Sequence, residues 1–554
     1  MKIDLAPAES LEELIFLQGK KKNVIFLPLS LDTLLYCKKN NLKHIDPIDI
    51  QSNELHKEGL IFSEKLLNKT KKLNLKKNTI KEEYISTIRR FSNSVFFIYK
   101  TVNNIKKKYD INKIFVSGWS KKIPNTYYSH YYVSKILFEL FKKKVRILSN
   151  KRLVYSDDVI MKYYLDLKIN NKNKNIIFLP DLGYNFKRFL EILLNKKFKI
   201  FIISMNKINF LKKIFLKFIG VYYKEYKSKI ISIKKNINLG KIKFKYKNYD
   251  FSNIFNFKTK LISYQILNSE NQCLAITKTL ESIKPTVIFL HNVAYSSKAY
   301  IDYASKNNKI SVCIGHGTLS KSHNRYSKIY QRIICDQIFS KKATYNNSQS
   351  KIITAGVNEN IKKSNIIKSG NIIFAKYEKK TPKYILYAVT TKNFFNMQYY
   401  GQELYYEFFH NLKTLDKISK IYKKKIIVKL HPNLKNSVND LNSYFTNLNF
   451  TNKKIDDLLK FSSMTISFSS TVIEDSLTGQ VPVILFDPWK RYKHYNGQTN
   501  PNKIDQSLYY ITNTDNLIKA IRTIERSQKI NFNKYIYNGT IKKNISKLID
   551  QISI

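Results

Sequence analysis

The chain has 554 residues, 43% hydrophobic and 14% aromatic, with only 14 Gly and 11 Pro. That excludes a disordered or fibrous protein and leaves room for two or three domains with sizeable cores. The formal net charge of +58 comes from 98 Lys+Arg against 40 Asp+Glu and would attract anionic nucleotides and membrane surfaces. Nucleic acid is not expected as a partner. Lys is spread along the whole chain and rises together with Asn, Ile, Tyr and Phe, a bias that AT-rich coding produces, and no zinc-finger spacing, basic helix or aromatic RNA-binding motif accompanies it.

In chain order, 23–29 reads as a first strand, with Asp32 a cap for a helix at 33–39. A long helical stretch fills 52–109, a second strand starts at Lys113, 131–141 has helical period and 145–148 is a third strand. After a Lys/Asn-rich linker at 168–174, a strand from Asn175 runs into Pro180-Asp181-Leu182-Gly183, followed by a helix at 186–194 and a strand at 199–204. Segment 206–249 alternates Lys with Phe, Ile, Leu and Tyr around the single acid Glu225, either an amphipathic face for an anionic inner membrane or a solvated surface. Strands ending in His291 and in Gly315-His316-Gly317, with a helix at 299–306 between them, continue the βαβ alternation, and 336–339 and 351–356 close the lobe. The polar segment 357–382 reads as the domain boundary. A strand from Tyr384, a helix at 400–422, a strand at 508–511 and a helix at 516–526 capped by Thr514 belong to a second lobe. Cys37, Cys273, Cys313 and Cys335 form no CxxC pair, the N-terminus carries Asp4, Glu9, Glu12 and Glu13, and no run approaches the ~18 apolar residues of a spanning helix. A cytoplasmic protein, peripheral at the inner membrane at most, is expected.

The chemistry concentrates in 424–487. KKIIVKLHP (424–432) is a short β-branched strand ending on His431-Pro432. A second strand ends on Ser469-Ser470-Thr471, and Thr471-x-x-Glu474 has capping-box spacing for the helix that follows. Val481-Pro482-Val483 opens the next strand. Hydroxyls and backbone N–H groups at a helix N-terminus suit an anion, a phosphate being the obvious one.

Taken in order, Gly315-His316-Gly317, Ala355-Gly356, Val428-Lys429-Leu430-His431-Pro432 and Ser469-Ser470-Thr471-x-x-Glu474-x4-Gly479-x-Val481-Pro482 resemble the GT-B glycosyltransferases of bacterial surface-polysaccharide assembly. That group includes capsule Kdo transferases, bacterial sialyl- and polysialyltransferases and CDP-glycerol glycerophosphotransferases. The likeness covers 285–490. It implies an α/β GT-B fold, two Rossmann-like lobes facing a cleft: an acceptor lobe at 1–375, with a sub-domain at 1–150, and a donor lobe at 376–554. It also implies a metal-independent glycosyltransferase moving a sugar, from CMP-nonulosonate or CMP-Kdo, to a capsule or lipopolysaccharide glycan, free or lipid-linked. Transfer from CDP-glycerol or CDP-ribitol is the alternative. A UDP-N-acetylglucosamine 2-epimerase, whose phosphate loop usually carries paired glycines where this chain has Ser470-Thr471, and a non-enzymatic basic binding protein rank lower.

The resemblance gives His431, Pro432, Ser469, Ser470 and Thr471 to the nucleotide phosphate, where donors stabilise a departing nucleotide. Each has a structural alternative: His431 could close a strand, and one of the hydroxyls must cap a helix. Glu474 either completes the capping box or meets the donor's ribose or sugar, and Lys429 stands near the phosphate. For the base that takes the acceptor proton the candidates are Asp181, His316 and, behind them, His291, with a helix cap or tight turn as the alternative use. Asp487-Pro488-Trp489 and Tyr492 could line the sugar pocket. No Asp-x-Asp tripeptide occurs, so no metal and no cofactor beyond the nucleotide-sugar donor is expected.

Overall fold

The computed structural model describes residues 1–46, 49–50, 54–70, 78–118, 133–148, 160–165, 175–180, 193–194, 198–205, 207–231, 240–290, 298–314, 350–354, 362–368, 378–390, 405–490, 493, 495–537 and 550. Three parallel sheets organise them.

The first sheet has strands β1 (Lys2–Ala8), β2 (Ile25–Pro28), β3 (Asp110–Val116) and β4 (Val145–Ile147) in the order β2-β1-β3-β4. Its helices are α1 (Leu11–Lys20), α2 (Leu31–Lys39), α3 (Glu54–Thr70), α4 (Asn78–Lys108) and α5 (Val133–Phe141). The acidic N-terminal stretch is therefore a central strand, which the sequence expectation omitted. Pro7 is tolerated there because the β3 ladder runs only from Lys2 to Leu5, leaving Pro7 paired with β2 alone. The cap of α2 is Ser30, in a capping box with Thr33, and not Asp32.

Strand β5 (Ile160–Tyr164) precedes the second sheet, which begins with β6 (Ile176–Leu179), β7 (Lys199–Ser204), α6 (Phe210–Phe218) and β8 (Tyr222–Glu225). Strand β9 (Lys227–Ile231) turns back to pair antiparallel with β5, and β10 (Lys245–Tyr246) with β11 (Tyr249–Asp250) makes a small ribbon. Then come α7 (Ser252–Ile283), β12 (Val287–Leu290), α8 (Lys298–Lys306), β13 (Ile310–Ile314), β14 (Ser350–Thr354) and β15 (Ile366–Lys368). The sheet runs β15-β14-β13-β12-β6-β7-β8. Strand β15 lies inside the segment expected to be a polar linker; three residues at a sheet edge leave almost no apolar pattern.

The third sheet comprises β16 (Tyr384–Ala388), α9 (Tyr405–Tyr422), β17 (Ile426–Lys429), α10 (Val438–Tyr444), β18 (Leu448–Thr451), α11 (Ile455–Leu459), β19 (Ser462–Ser467), α12 (Val472–Thr478), β20 (Val483–Phe486), β21 (Leu508–Ile511) and α13 (Thr514–Arg526). Asn513, not Thr514, caps α13. The order β18-β17-β16-β19-β20-β21 is that of a doubly wound sheet, whose direction of winding reverses between β16 and β19. Ligands of such folds bind outside the carboxyl ends of the strands at that reversal. The second sheet reverses in the same way between β6 and β12. The α/β class, with two doubly wound units, agrees with expectation.

The 32-residue helix α7 ties the units together. Ile254, Phe255, Leu261, Ile262 and Ile266 enter an apolar cluster shared with the first and third sheets, whereas Ala275, Ile276, Leu280 and Ile283 enter that of the second. Phe468, immediately after β19, is buried in the second sheet's cluster. From the first sheet, α2 holds the chain that follows His431: Ser437 Oγ donates to Asp32 Oδ1 at 3.1 Å, and Lys38 Nζ donates to Tyr444 Oη at 3.2 Å.

Candidate functional site

The register of the third sheet sets its polar residues in a row. Ala388 pairs with Lys429 on one side, and Tyr387 pairs with Ile466 on the other; Ser467 pairs with Leu485 beyond that. Carried two residues past the strands, this register sets His431, Thr390, Ser469 and Asp487 level along the carboxyl edge. His431 and Ser469 follow the strands that flank β16, so about two interstrand spacings, roughly 10 Å, separate their backbones. That gap lies across the winding reversal. Ser467 Oγ donates to Ala388 O at 2.9 Å and pins β19 to β16 there.

The turn after β19 departs from expectation. Thr471 is the N-cap of α12 but has helical backbone angles (φ −61°, ψ −18°) and makes no side-chain cap. Ser470 caps instead, its Oγ accepting from Val472 N at 3.3 Å. The next three N–H groups bond within the turn: Ile473 to Ser470 O, Glu474 and Asp475 to Thr471 O, at 3.1–3.2 Å. The first-turn N–H groups of this seven-residue helix are thus engaged, which corrects the expected anion site of helix N–H groups. The capping box is also not formed. Glu474 is buried, and its Oε1 accepts the hydroxyl of Tyr495 at 2.9 Å.

Tyr495 sits on a loop laid against β21, where Gln498 N donates to Leu508 O and Tyr510 N donates to Gln498 O. Gly497 is required for that approach, because a Cβ there would lie 2.8 Å from the Tyr509 carbonyl carbon. Asp487 is fully buried and accepts the Tyr510 hydroxyl at 3.0 Å. Trp489 is buried and packs edge-on to His410 of α9, ring centroids 5.3 Å apart. Nothing in the sequence marked His410, which stands alone on an ordinary amphipathic helix. Lys429 is half-buried and donates to Leu430 O at 2.9 Å; burial holds its ammonium below its ordinary pKa, a state that a bound anion would reverse. His431, Ser469, Ser470 and Thr471 are half-buried, and Pro432 is exposed at the start of a 3-10 turn.

Asp181, His291, His316 and Tyr492 lie outside the described residues. The strands that precede the first three end at Leu179, Leu290 and Ile314, the first two being neighbours at the second sheet's reversal. Among the described residues no group of three or more His, Cys, Asp or Glu could hold a metal ion. No helix among them is long and apolar enough to cross a membrane.

No protein-family model matches the chain, and no curated protein does. Solved structures similar to it include the UDP-GlcNAc 2-epimerase of Methanocaldococcus jannaschii in complex with UDP-GlcNAc and UDP, at 15% identity and a TM-score of 0.39, covering 68% of this chain and 99% of that one. The MnaA–UDP structure of S. aureus is 11% identical at a TM-score of 0.40, over 68% and 95%. The UDP-GlcNAc 2-epimerase of Neisseria meningitidis bound to UDP-GlcNAc is 13% identical at a TM-score of 0.36, over 68% and 98%. What is shared is the two-domain GT-B-like fold, and no residue assignment comes with it. The expected function is corrected: these structures are UDP-GlcNAc 2-epimerases or complexes with UDP, not CMP-dependent transferases. The CMP-linked donor, transfer to a surface glycan and the CDP-polyol alternative are withdrawn.

Proposed function

We propose that the chain is an enzyme acting on a nucleotide sugar, with the nucleotide seated at the carboxyl edge of the third sheet between the ends of β17 and β19. The observation that carries this reading is the row of His431, Thr390, Ser469 and Asp487 across a winding reversal. The His431 imidazole and the Ser469 and Thr471 side chains are the donors offered to the diphosphate, with Lys429 supplying charge beside them. Such a cradle stabilises negative charge on the nucleotide whichever bond at the sugar is altered. For the reaction we propose isomerisation of a UDP-N-acetylhexosamine, which the sequence alone ranked lower. Asp181 and His316, each two residues past the end of a second-sheet strand, are proposed to move protons at the sugar. Cys37, Cys273 and Cys313 are thiols, which suits a reducing compartment such as the cytoplasm.

Isothermal titration with UDP, CMP and GDP tests the site, and proton NMR of UDP-N-acetylglucosamine incubated with the enzyme tests the reaction. The expected result is tightest binding of UDP, a loss of tenfold or more in His431→Ala, and appearance of the C2 epimer. Asp181→Asn and His316→Gln should lose turnover and keep UDP affinity. UDP binding without any epimer would overturn the reaction and leave the nucleotide site standing. Absence of UDP binding would overturn both.

A further inference from the structure

Helix α6 carries its apolar face outward. Phe210 is 74% exposed, Leu211 75%, Ile214 50% and Phe218 88%. At 100° per residue these four positions fall within one arc about 100° wide. Leu216, the one buried residue of the helix, points to the opposite side and seats it on the second sheet's flank. Asn209 fixes the start of the helix, its Oδ1 accepting from Lys212 N at 3.0 Å. The outward face is thus held in place by the fold with nothing covering it among the described residues. Four large side chains side by side are more than the scattered apolar exposure that needs no explanation.

At the same 100° per residue Lys213 and Lys217 border one edge of that face and the exposed Lys207 stands just before the helix, whereas Lys212 falls beside Leu216 on the opposite side. The nearby acid is Glu225, the only one in 206–249, and it is engaged by Lys213 at 2.7 Å and by the Tyr223 hydroxyl at 2.7 Å. The rim is therefore positive. Two copies of a chain with formal charge +58 would bring like charges together at such a contact. A bilayer with anionic headgroups supplies what both parts of the helix lack, an apolar layer bordered by negative charge. Nine residues make a helix about 14 Å long, long enough to lie in that boundary and too short to cross it.

We propose that α6 docks the protein peripherally on an anionic phospholipid surface, with Phe210, Leu211, Ile214 and Phe218 entering the headgroup–acyl boundary and Lys207 and Lys217 meeting the headgroups. The proposal is independent of the nucleotide reading.

The full-length chain is to be sedimented with vesicles of phosphatidylcholine containing 30% phosphatidylglycerol, and with pure phosphatidylcholine, at 0.1 M and 0.5 M salt. Binding is expected to the anionic vesicles, weaker at high salt. The partition coefficient should fall at least tenfold in Phe210→Ser/Phe218→Ser, and roughly fivefold per charge in Lys207→Gln/Lys217→Gln. Because these side chains are exposed, the variants should keep the wild-type melting temperature and UDP affinity. A Phe218→Trp variant should shift its emission to the blue on adding anionic vesicles. Failure of the wild type to bind them overturns the proposal. So does a Phe210→Ser/Phe218→Ser variant that binds as tightly as wild type, since the overall charge would then suffice. A wild-type dimer in sedimentation velocity that the same variant dissolves would assign the face to a second copy instead.

Discussion

The carboxyl edges of the first and third sheets carry similar polar residues and use them differently. In the first, Ser10 caps α1 by accepting from Glu13 N at 3.2 Å, Glu13 Oε2 accepts from Glu9 N at 2.8 Å, and Glu13 Oε1 accepts the Ser117 hydroxyl at 2.6 Å. Burial pushes the Glu13 carboxyl above its ordinary value, although those hydrogen bonds pull the other way. The edge closes on itself. In the third sheet Asp487 is likewise buried against Tyr510, but His431 and Ser469 stay half-buried at the same level of the sheet. Polar residues at strand ends are therefore not a site by their presence. What distinguishes a binding edge is polar side chains that remain reachable by solvent after the local hydrogen bonds are made.

The strongest way to break the comparison is to open the closed edge. Glu13→Ala removes the acceptor of the buried Ser117 hydroxyl and of the Glu9 N–H, and should lower stability in urea by about 2–4 kcal/mol with UDP affinity unchanged. Glu13→Gln retains both partners and isolates the effect of charge. With the folded pKa raised above 4.5, the folded chain holds this proton more tightly than the unfolded one. The contribution is fully present below pH 4.5 and is lost as pH rises through the folded value. The stability of wild type relative to Glu13→Gln should accordingly fall with increasing pH over that window. A flat difference would show that Glu13 ionises as freely in the fold as outside it.

Next in size comes the open edge. His431→Ala and Ser469→Ala should each weaken UDP binding tenfold or more, equivalent to about 1.4 kcal/mol. If they cost stability and spare affinity, the third sheet's edge is as self-contained as the first. Tyr495→Phe leaves the buried Glu474 carboxylate without that hydroxyl and should cost about 1.5 kcal/mol of stability. If Glu474 met the ligand instead, Tyr495→Phe would alter UDP affinity first.

The third sheet was the most legible part of the chain, because its strands are short β-branched runs punctuated by Pro432, Gly479 and Pro482. Strand β21 and the boundary of β7 agree with expectation to the residue. Strand β1 was missed because Asp4 and Pro7 interrupt its apolar pattern. Helix α7 was missed because it buries Lys258, Thr259, Ser263 and Thr279 along with its apolar residues, serving two cores in turn. The site was legible as residue types and not as hydrogen bonds. The spacing Thr471-x-x-Glu474 fits a capping box, but Tyr495, 21 positions further on, takes the carboxylate. No local pattern carries a partner at that distance.

The smallest effect separates the two adjacent hydroxyls at the turn. Ser470 Oγ is the acceptor for Val472 N, and Thr471 supplies no side-chain cap. Ser470→Ala should therefore cost about 1 kcal/mol, as loss of a capping hydroxyl does, and Thr471→Ala no more than about 0.5 kcal/mol. Affinity should move the other way. In the proposed function Thr471, not committed to the cap, is the hydroxyl offered to the nucleotide, so its alanine variant should weaken UDP binding more than that of Ser470. Paired urea melts and UDP titrations of the two variants would read both orders. If Thr471→Ala proved the more destabilising, Thr471 would be the residue that starts α12, and the hydroxyl left for the nucleotide would be that of Ser470.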